Sequence, residues 1–128
     1  MKRIKKFEGF NYRMPEEVTE DEWNRKCEIY GDEPFDKKEM DFFEELSKQQ
    51  TFHLYRYKGN SIIFMEIYTS EDKWETIDIS ISKLSDDWYA ICFVIDIYAT
   101  YYKYYIADEW EEVIGFLKNK TDLIIWKE

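Results

Sequence analysis

The side chains best suited to acid–base chemistry in this chain are a histidine and a glutamate. Histidine occurs once, at His53, and Glu66 lies where a hairpin would place it directly opposite. An imidazole beside a carboxylate can act as a general base with its orienting partner. A nucleophile that would complete such a site is missing, because Ser61 lies at the end of the hairpin. The spacing therefore predicts a structural cross-strand pair, and a small enzyme that uses His53 and Glu66 is the alternative.

The sequence contains no recognisable cofactor or metal motif. Cys27 and Cys92 are far apart without a Cys-x-x-Cys spacing, and the four glycines form no phosphate-binding loop. Both thiols lie in apolar patterns, which predicts packed, reduced side chains. Adjacent carboxylates at Asp86–Asp87 and Glu44–Glu45 could bind a divalent cation, but no calcium-loop pattern surrounds them. We therefore expect no metal, no cofactor and no catalysis, and a metal-binding protein that uses surface carboxylates is the alternative.

The strongest signal in the sequence is the position of its negative charge. Thirteen of the 28 acidic residues, but only four of the 18 basic ones, lie between Glu16 and Glu45, so this stretch carries most of the net charge of −10. A surface of that charge attracts basic proteins and repels nucleic acid. The predicted acidic binding face consists of Glu16, Glu17, Glu20, Asp21, Asp41, Glu44 and Glu45.

This acidic face has two possible roles. Rows of carboxylates along helices can imitate the phosphate spacing of nucleic acid and occupy the basic groove of another protein. Alternatively, they form a solvated surface that keeps an aromatic-rich chain soluble, since aromatic residues make up 20% of the sequence. In both cases we expect no direct nucleic-acid binding.

Capping patterns predict the helices that carry these acidic residues. A Thr or Asp followed three positions later by Glu is a capping box, and such boxes begin at Thr19, Asp36 and Asp108. Apolar residues at helical spacing follow each box. The patterns predict three helices, which end near Tyr30, Lys48 and Lys120.

Between the second and third helices the apolar period changes to two, which is typical of strands. The Gly59–Asn60 pair predicts a hairpin turn that places Leu54 opposite Met65. In the following strand, the isoleucines are expected to face the core and the polar residues to face water. The predicted strands are Thr51–Lys58, Ser61–Tyr68, Trp74–Ser82, Trp88–Ile95 and Thr100–Ile106.

The second face of the hairpin is a further candidate surface, because it carries Tyr55, Tyr57 and Phe64. Exposed aromatic clusters are common protein-binding surfaces. The alternative is that a helix or the N-terminal segment covers these three side chains.

Together these elements predict an α+β fold in a single domain spanning residues 1–128. Two acidic N-terminal helices and a C-terminal helix pack on an antiparallel sheet of four or five strands. Residues 1–15 form a docked or flexible N-terminal arm, and Leu123–Trp126 adds an edge strand or ends the contacts of the last helix. The chain lacks an apolar signal sequence and the ~20 apolar residues of a membrane span, so a cytoplasmic location is expected.

Two segments of the chain resemble small proteins encoded by tailed bacteriophages. The opening MKRIKKFEGF resembles the MK-x-I-K-x-F-E-x-F start of many of them, and DDWYAICFVIDIYATYYKYYIADEWEEVIGFLK is similar to a carboxy-terminal strand–strand–helix unit. Where those proteins often have a Cys-Asp pair before the last helix, this chain has Ile106–Asp108. The resemblance implies phage origin and no particular activity. With the charge pattern, it leads us to expect a non-catalytic acidic factor that modulates or inhibits a basic, nucleic-acid-binding host protein in the host cytoplasm.

Overall fold

The computed structural model describes residues 13–48, 52–68, 76–96 and 100–126, which form three α-helices, a short 3₁₀ helix (Ser85–Asp87) and six strands. The helices are α1 (Glu20–Tyr30), α2 (Lys37–Ser47) and α3 (Trp110–Trp126). The strands are β1 (Glu16–Val18), β2 (Phe52–Tyr57), β3 (Ile62–Tyr68), β4 (Thr76–Lys83), β5 (Tyr89–Asp96) and β6 (Thr100–Ala107). All six strands belong to one antiparallel sheet in the order β1-β6-β5-β4-β3-β2.

The α+β class is confirmed, but the predicted number of four or five strands is wrong. The additional strand is β1, which pairs with β6 so that Val18 lies opposite Tyr104. Because β1 has only three residues, it shows no alternating pattern in the sequence. The sequence predicted that the two acidic helices come first in the fold. In the structure they follow β1, a strand at the edge of the sheet.

Capping side chains define the starts of α1 and α2 as the sequence predicted. The Thr19 hydroxyl accepts a hydrogen bond of 3.2 Å from the backbone N–H of Glu22. The Asp36 carboxylate likewise accepts one of 2.8 Å from the backbone N–H of Glu39. Both helices thus begin with a complete capping box, which satisfies backbone donors that a helix cannot satisfy itself.

The third helix differs from its prediction at both ends. It begins at Trp110, and Glu112 rather than Glu111 accepts a hydrogen bond from the backbone N–H of Asp108. It continues past Lys120 to Trp126, so the tail is helical and does not add an edge strand. No Gly or Pro interrupts residues 116–126, which explains why the helix continues.

The β2–β3 hairpin has the predicted register, with Leu54 opposite Met65. Lys58, Gly59 and Asn60 have positive φ angles of 51°, 62° and 67°, and positive φ at the two central residues, Gly59 and Asn60, is what a type I′ turn uses. A backbone hydrogen bond of 3.2 Å across these two residues closes the turn. The turn chemistry therefore sets which side chains of the hairpin face each other.

The sheet has two different faces, because successive residues of a strand point to opposite sides. On the face that we call the covered face, Ile91 and Tyr105 belong to the larger core, against which α2 and α3 pack. Their chain neighbours Ala90 and Ile106 belong to a smaller core on the opposite, open face, where α1 packs over β5 and β6. The fully buried side chains of the larger core include Phe43, Ile63, Met65, Ile67, Ile79, Ile81, Ile91, Phe116 and Leu117.

The two acidic helices consequently lie on opposite faces of the sheet. Trp23 and Cys27 attach α1 to the smaller core, whereas Phe43 attaches α2 to the larger one. The acidic stretch that is continuous in the sequence is thus divided by the sheet.

Two further predictions concern the ends and the environment of the chain. Most of the predicted N-terminal arm, residues 1–12, lies outside the described residues, whereas Arg13 contacts the start of α3. In the described part of the chain, every helix is too short or too polar to span a bilayer.

Candidate functional site

The acidic residues predicted as one binding face separate into two groups. Glu16 and Glu17 lie on β1, and Glu20 and Asp21 lie in the first turn of α1. The remaining three, Asp41, Glu44 and Glu45, lie on α2, on the other side of the sheet.

Neighbouring cations compensate the charge of the α2 group. The Lys37 ammonium lies 2.9 Å from Asp41, and the Lys48 ammonium lies 3.0 Å from Glu45. The guanidinium of Arg56 on β2 pairs with Glu44. These exposed pairs contribute little to stability, but they lower the net negative potential that α2 presents to a partner.

The other group forms what we call the acidic corner, at the edge of the sheet where β1, α1 and β6 meet. Its four carboxylates are exposed, and within the described ranges none of them forms an ion pair. Along the same strand, beyond the residues that pair with β1, Tyr101 and Tyr102 at the start of β6 keep 61% and 59% of their surface exposed. The acidic corner consists of Glu16, Glu17, Glu20, Asp21, Tyr101 and Tyr102.

The field of these carboxylates reaches the tyrosines of β6 on both faces of the sheet. Desolvation and the nearby Glu20 charge raise the pKa of the Tyr104 hydroxyl, which lies on the open face. Burial and the Glu17 charge raise the pKa of Tyr105, on the covered face. A negative potential raises the pKa of a neighbouring acid because it disfavours a second negative charge. The negative potential of the corner therefore extends to Tyr104 and Tyr105 of β6.

The predicted aromatic surface lies at the opposite edge of the sheet. Tyr55 and Tyr57 on β2 are 43% and 51% exposed, and Phe64 on β3 is half-buried, with its ring centroid 6.0 Å from that of Tyr55. The two tyrosines thus remain accessible. This aromatic surface therefore lies away from the acidic corner. The exposed aromatic residues of the corner are Tyr101 and Tyr102 instead. Sequence analysis missed them because it interpreted β6 only as a strand of the sheet.

His53 and Glu66 lie directly opposite each other, as the hairpin register predicted. Asp78 on β4 lies opposite Glu66, which extends the polar row across three strands of the open face. The cleft described next lies on the covered face, so it does not enclose this pair. A structural role for His53 and Glu66 stays a prediction.

A cleft of about 310 Å³ on the covered face contains a buried ion pair that sequence analysis missed. Glu39, at the start of α2, accepts hydrogen bonds from the Lys83 ammonium, at 2.8 Å, and from the Tyr89 hydroxyl. All three residues are more than nine-tenths buried. The available signal was Lys83, which continues the inward-facing positions of Ile79 and Ile81 along β4. A lysine at such a position needs an acidic partner.

The protonation states in this cleft favour a structural role. Desolvation opposes the charged form of Lys83, but the hydrogen bond and charge of Glu39 outweigh it, so the pKa of the ammonium is raised. Burial and then the contact with Glu39 raise the pKa of the Tyr89 hydroxyl well above its ordinary value. Both groups stay protonated at neutral pH, so neither supplies a nucleophile or a base.

Carboxylates at the start of α3 form a compact cluster beside the cleft. Oxygens of Asp108, Glu109 and Glu112 lie within 4.8 Å of one another. The guanidinium of Arg13 donates to Glu109 and lies 3.6 Å from Glu112. Burial raises the pKa of Glu112, while the Asp108 backbone N–H and the Arg13 charge oppose this effect. Because the cluster already holds a cationic side chain, we interpret it as the anchor of the segment that leads into β1.

Both thiols are half-buried, and burial raises the pKa of each, that of Cys27 to about 11. At neutral pH they are therefore protonated and weak nucleophiles. The prediction of a packed thiol is confirmed for Cys27, which contacts the smaller core.

Comparison with family models, curated proteins and solved structures finds no match. The surfaces themselves are therefore the guide to what this protein binds. Of these, the acidic corner combines carboxylates that form no ion pair among the described residues with exposed aromatic area.

Proposed function

We propose that this protein is a non-catalytic, phage-encoded factor that binds a basic protein through its acidic corner. A nucleic-acid-binding host protein is the proposed partner class, because such proteins carry clustered Lys and Arg side chains. Phage origin rests on the resemblance of the opening segment and of the region from Asp86 to Lys118. Binding would modulate or inhibit the partner by occupying its basic surface.

One observation carries this proposal: four exposed carboxylates without an ion pair among the described residues share one edge of the sheet with two largely exposed tyrosines of β6. Charges of one sign steer a partner of the opposite sign and increase the association rate. Tyrosines supply amphipathic contact area at low entropic cost and are enriched among interface hot spots. The α2 carboxylates lack this combination, since lysine and arginine side chains already pair with them.

The proposal predicts that charge at the corner, and not total charge, determines binding. The corner variant E16Q/E20Q/D21N and the control variant D41N/E44Q/E45Q each remove three negative charges. Used as baits in a lysate of the host bacterium, the wild type and the control should retain the same basic protein at low salt. The corner variant should retain about tenfold less of it, because it removes the carboxylates that no described cation pairs with.

Retention by the wild type should also decrease as salt increases, since the Debye length is about 10 Å at 0.1 M and shorter above that. Circular dichroism of the three baits checks that all are folded. Equal losses for the corner and control variants would mean that binding depends on net charge alone, which contradicts the proposed site.

A further inference from the structure

The outer edge of β6 is only partly paired. β1 lies beside Tyr104–Ile106, whereas β6 begins at Thr100. Among the described strands, none lies beside Tyr101–Lys103 on that side. In a strand, alternate residues direct their backbone N–H and C=O groups to opposite sides, so this half of β6 presents hydrogen-bonding groups outward.

The side chains at this half-edge are accessible. Tyr101 and Tyr102 are 61% and 59% exposed, and Lys103 is exposed as well. Thr19 follows β1 in an extended conformation, level with Lys103, before the chain turns into α1. Among the described residues, an extended segment added next to it would therefore meet the backbone of Tyr101 and Tyr102 and their two aromatic rings. Strand addition to such an edge is a common mode of peptide recognition, in which backbone hydrogen bonds give affinity and side chains give specificity.

The charges around the half-edge define the chemistry of the added segment. On the open face, Glu20 lies near Tyr104, and Tyr102 points to the same side because it is two residues away. On the covered face the corresponding positions are Tyr101 and Lys103. Cationic side chains are therefore favoured towards the open face, which carries Glu20 and the Tyr102 ring, whereas the positive charge of Lys103 favours neutral side chains towards the covered face.

We propose that an extended segment of the partner, with basic and neutral residues in alternation, adds to the sheet as a strand beside Tyr101 and Tyr102. This inference rests on the proposed function, because it specifies how the acidic corner holds its basic partner.

The test uses the full chain and a synthetic octapeptide of alternating Lys and Val, acetylated and amidated at its ends. Two further peptides carry N-methyl groups, one on every valine and the other on every lysine. Methylation removes backbone donors and leaves the charge unchanged. In an added strand, either the lysine amides or the valine amides point towards β6, but not both. The peptide methylated on the amides that point towards β6 should bind about tenfold more weakly than the parent, and the other methylated peptide should bind more nearly like the parent. In hydrogen exchange, the parent peptide should slow the one backbone amide of the Tyr101–Tyr102 pair that points away from β5.

Equal binding of all three peptides, without slower exchange in β6, would overturn strand addition but leave charge-driven binding at the corner intact. If the parent peptide fails to bind even at low salt, both strand addition and the proposed function are contradicted. Strand addition is supported if one methylated peptide binds more weakly than the parent peptide to the wild type and to D41N/E44Q/E45Q. The proposed function is supported if E16Q/E20Q/D21N no longer binds the parent peptide.

Discussion

Truncation of Ile79 to alanine is expected to lower the free energy of unfolding by about 2–5 kcal/mol. Ile79 is fully buried at the centre of the covered face, where it lies opposite Met65 on β3 and Phe93 on β5. Removing three carbon atoms there loses their transfer free energy and leaves a cavity that neighbouring strands cannot fill. Urea unfolding of the wild type and I79A measures the difference.

The adjacent residue supplies the matched control. Ser80 points to the opposite face and is half-buried, so S80A should change stability by less than about 1 kcal/mol. Similar losses in I79A and S80A would mean that the two faces of β4 are assigned incorrectly.

Replacing Glu39 with alanine is expected to cost about 3–5 kcal/mol, because it leaves the Lys83 ammonium buried without its counter-charge. The same change removes the acceptor of the Tyr89 hydroxyl and half of the α2 capping box. Denaturant unfolding of E39A measures the loss. E45Q, which breaks only the exposed pair with Lys48, should cost about 0–1 kcal/mol.

The double variant E39A/K83M separates charge burial from capping. If the unpaired ammonium causes the main loss, the second substitution should restore part of the stability, since methionine fills similar space without charge. A double variant no more stable than E39A would show that the loss does not come from the buried charge.

The same network predicts how stability depends on pH. The folded-state pKa of Tyr89 is raised above its ordinary value of 10.0 by burial and by Glu39. As pH rises, the Tyr89 hydroxyl therefore loses its proton in the unfolded chain before it does so in the folded protein. The contribution of the buried Tyr89–Glu39 contact to the free energy of unfolding is fully present below pH 10.0 and decreases as pH rises further. The raised pKa of Lys83 acts in the same direction, because the favourable charge pair is lost in alkali.

Local signals in the sequence predicted much of the fold. The caps at Thr19 and Asp36 depend on residues three positions apart, and the Gly59–Asn60 turn alone determines the register of β2 and β3. Each is a short-range interaction that the sequence contains completely. The strand β1 was missed because its pairing depends on β6, more than 80 residues later in the chain.

The candidate site was less predictable, because it depends on long-range packing. Composition showed that the stretch from Glu16 to Glu45 is acidic, but not that the sheet would separate α1 from α2. Nor did it show that lysine and arginine side chains would compensate one group, since Arg56 reaches Glu44 from a different element. The pairing of Glu39 with Lys83 likewise joins residues that are 44 positions apart.

The most direct test of the acidic corner is residue-by-residue mapping of the bound surface. Nitrogen-15 NMR spectra of the full chain would be recorded during titration with the alternating Lys–Val octapeptide at low salt. The proposal predicts that the largest shift changes fall on Glu16–Val18, Glu20, Asp21 and Tyr101–Lys103, with small changes along Lys37–Ser47. Changes centred on Lys37–Ser47, or spread evenly over every acidic residue, would contradict the acidic corner as the binding site.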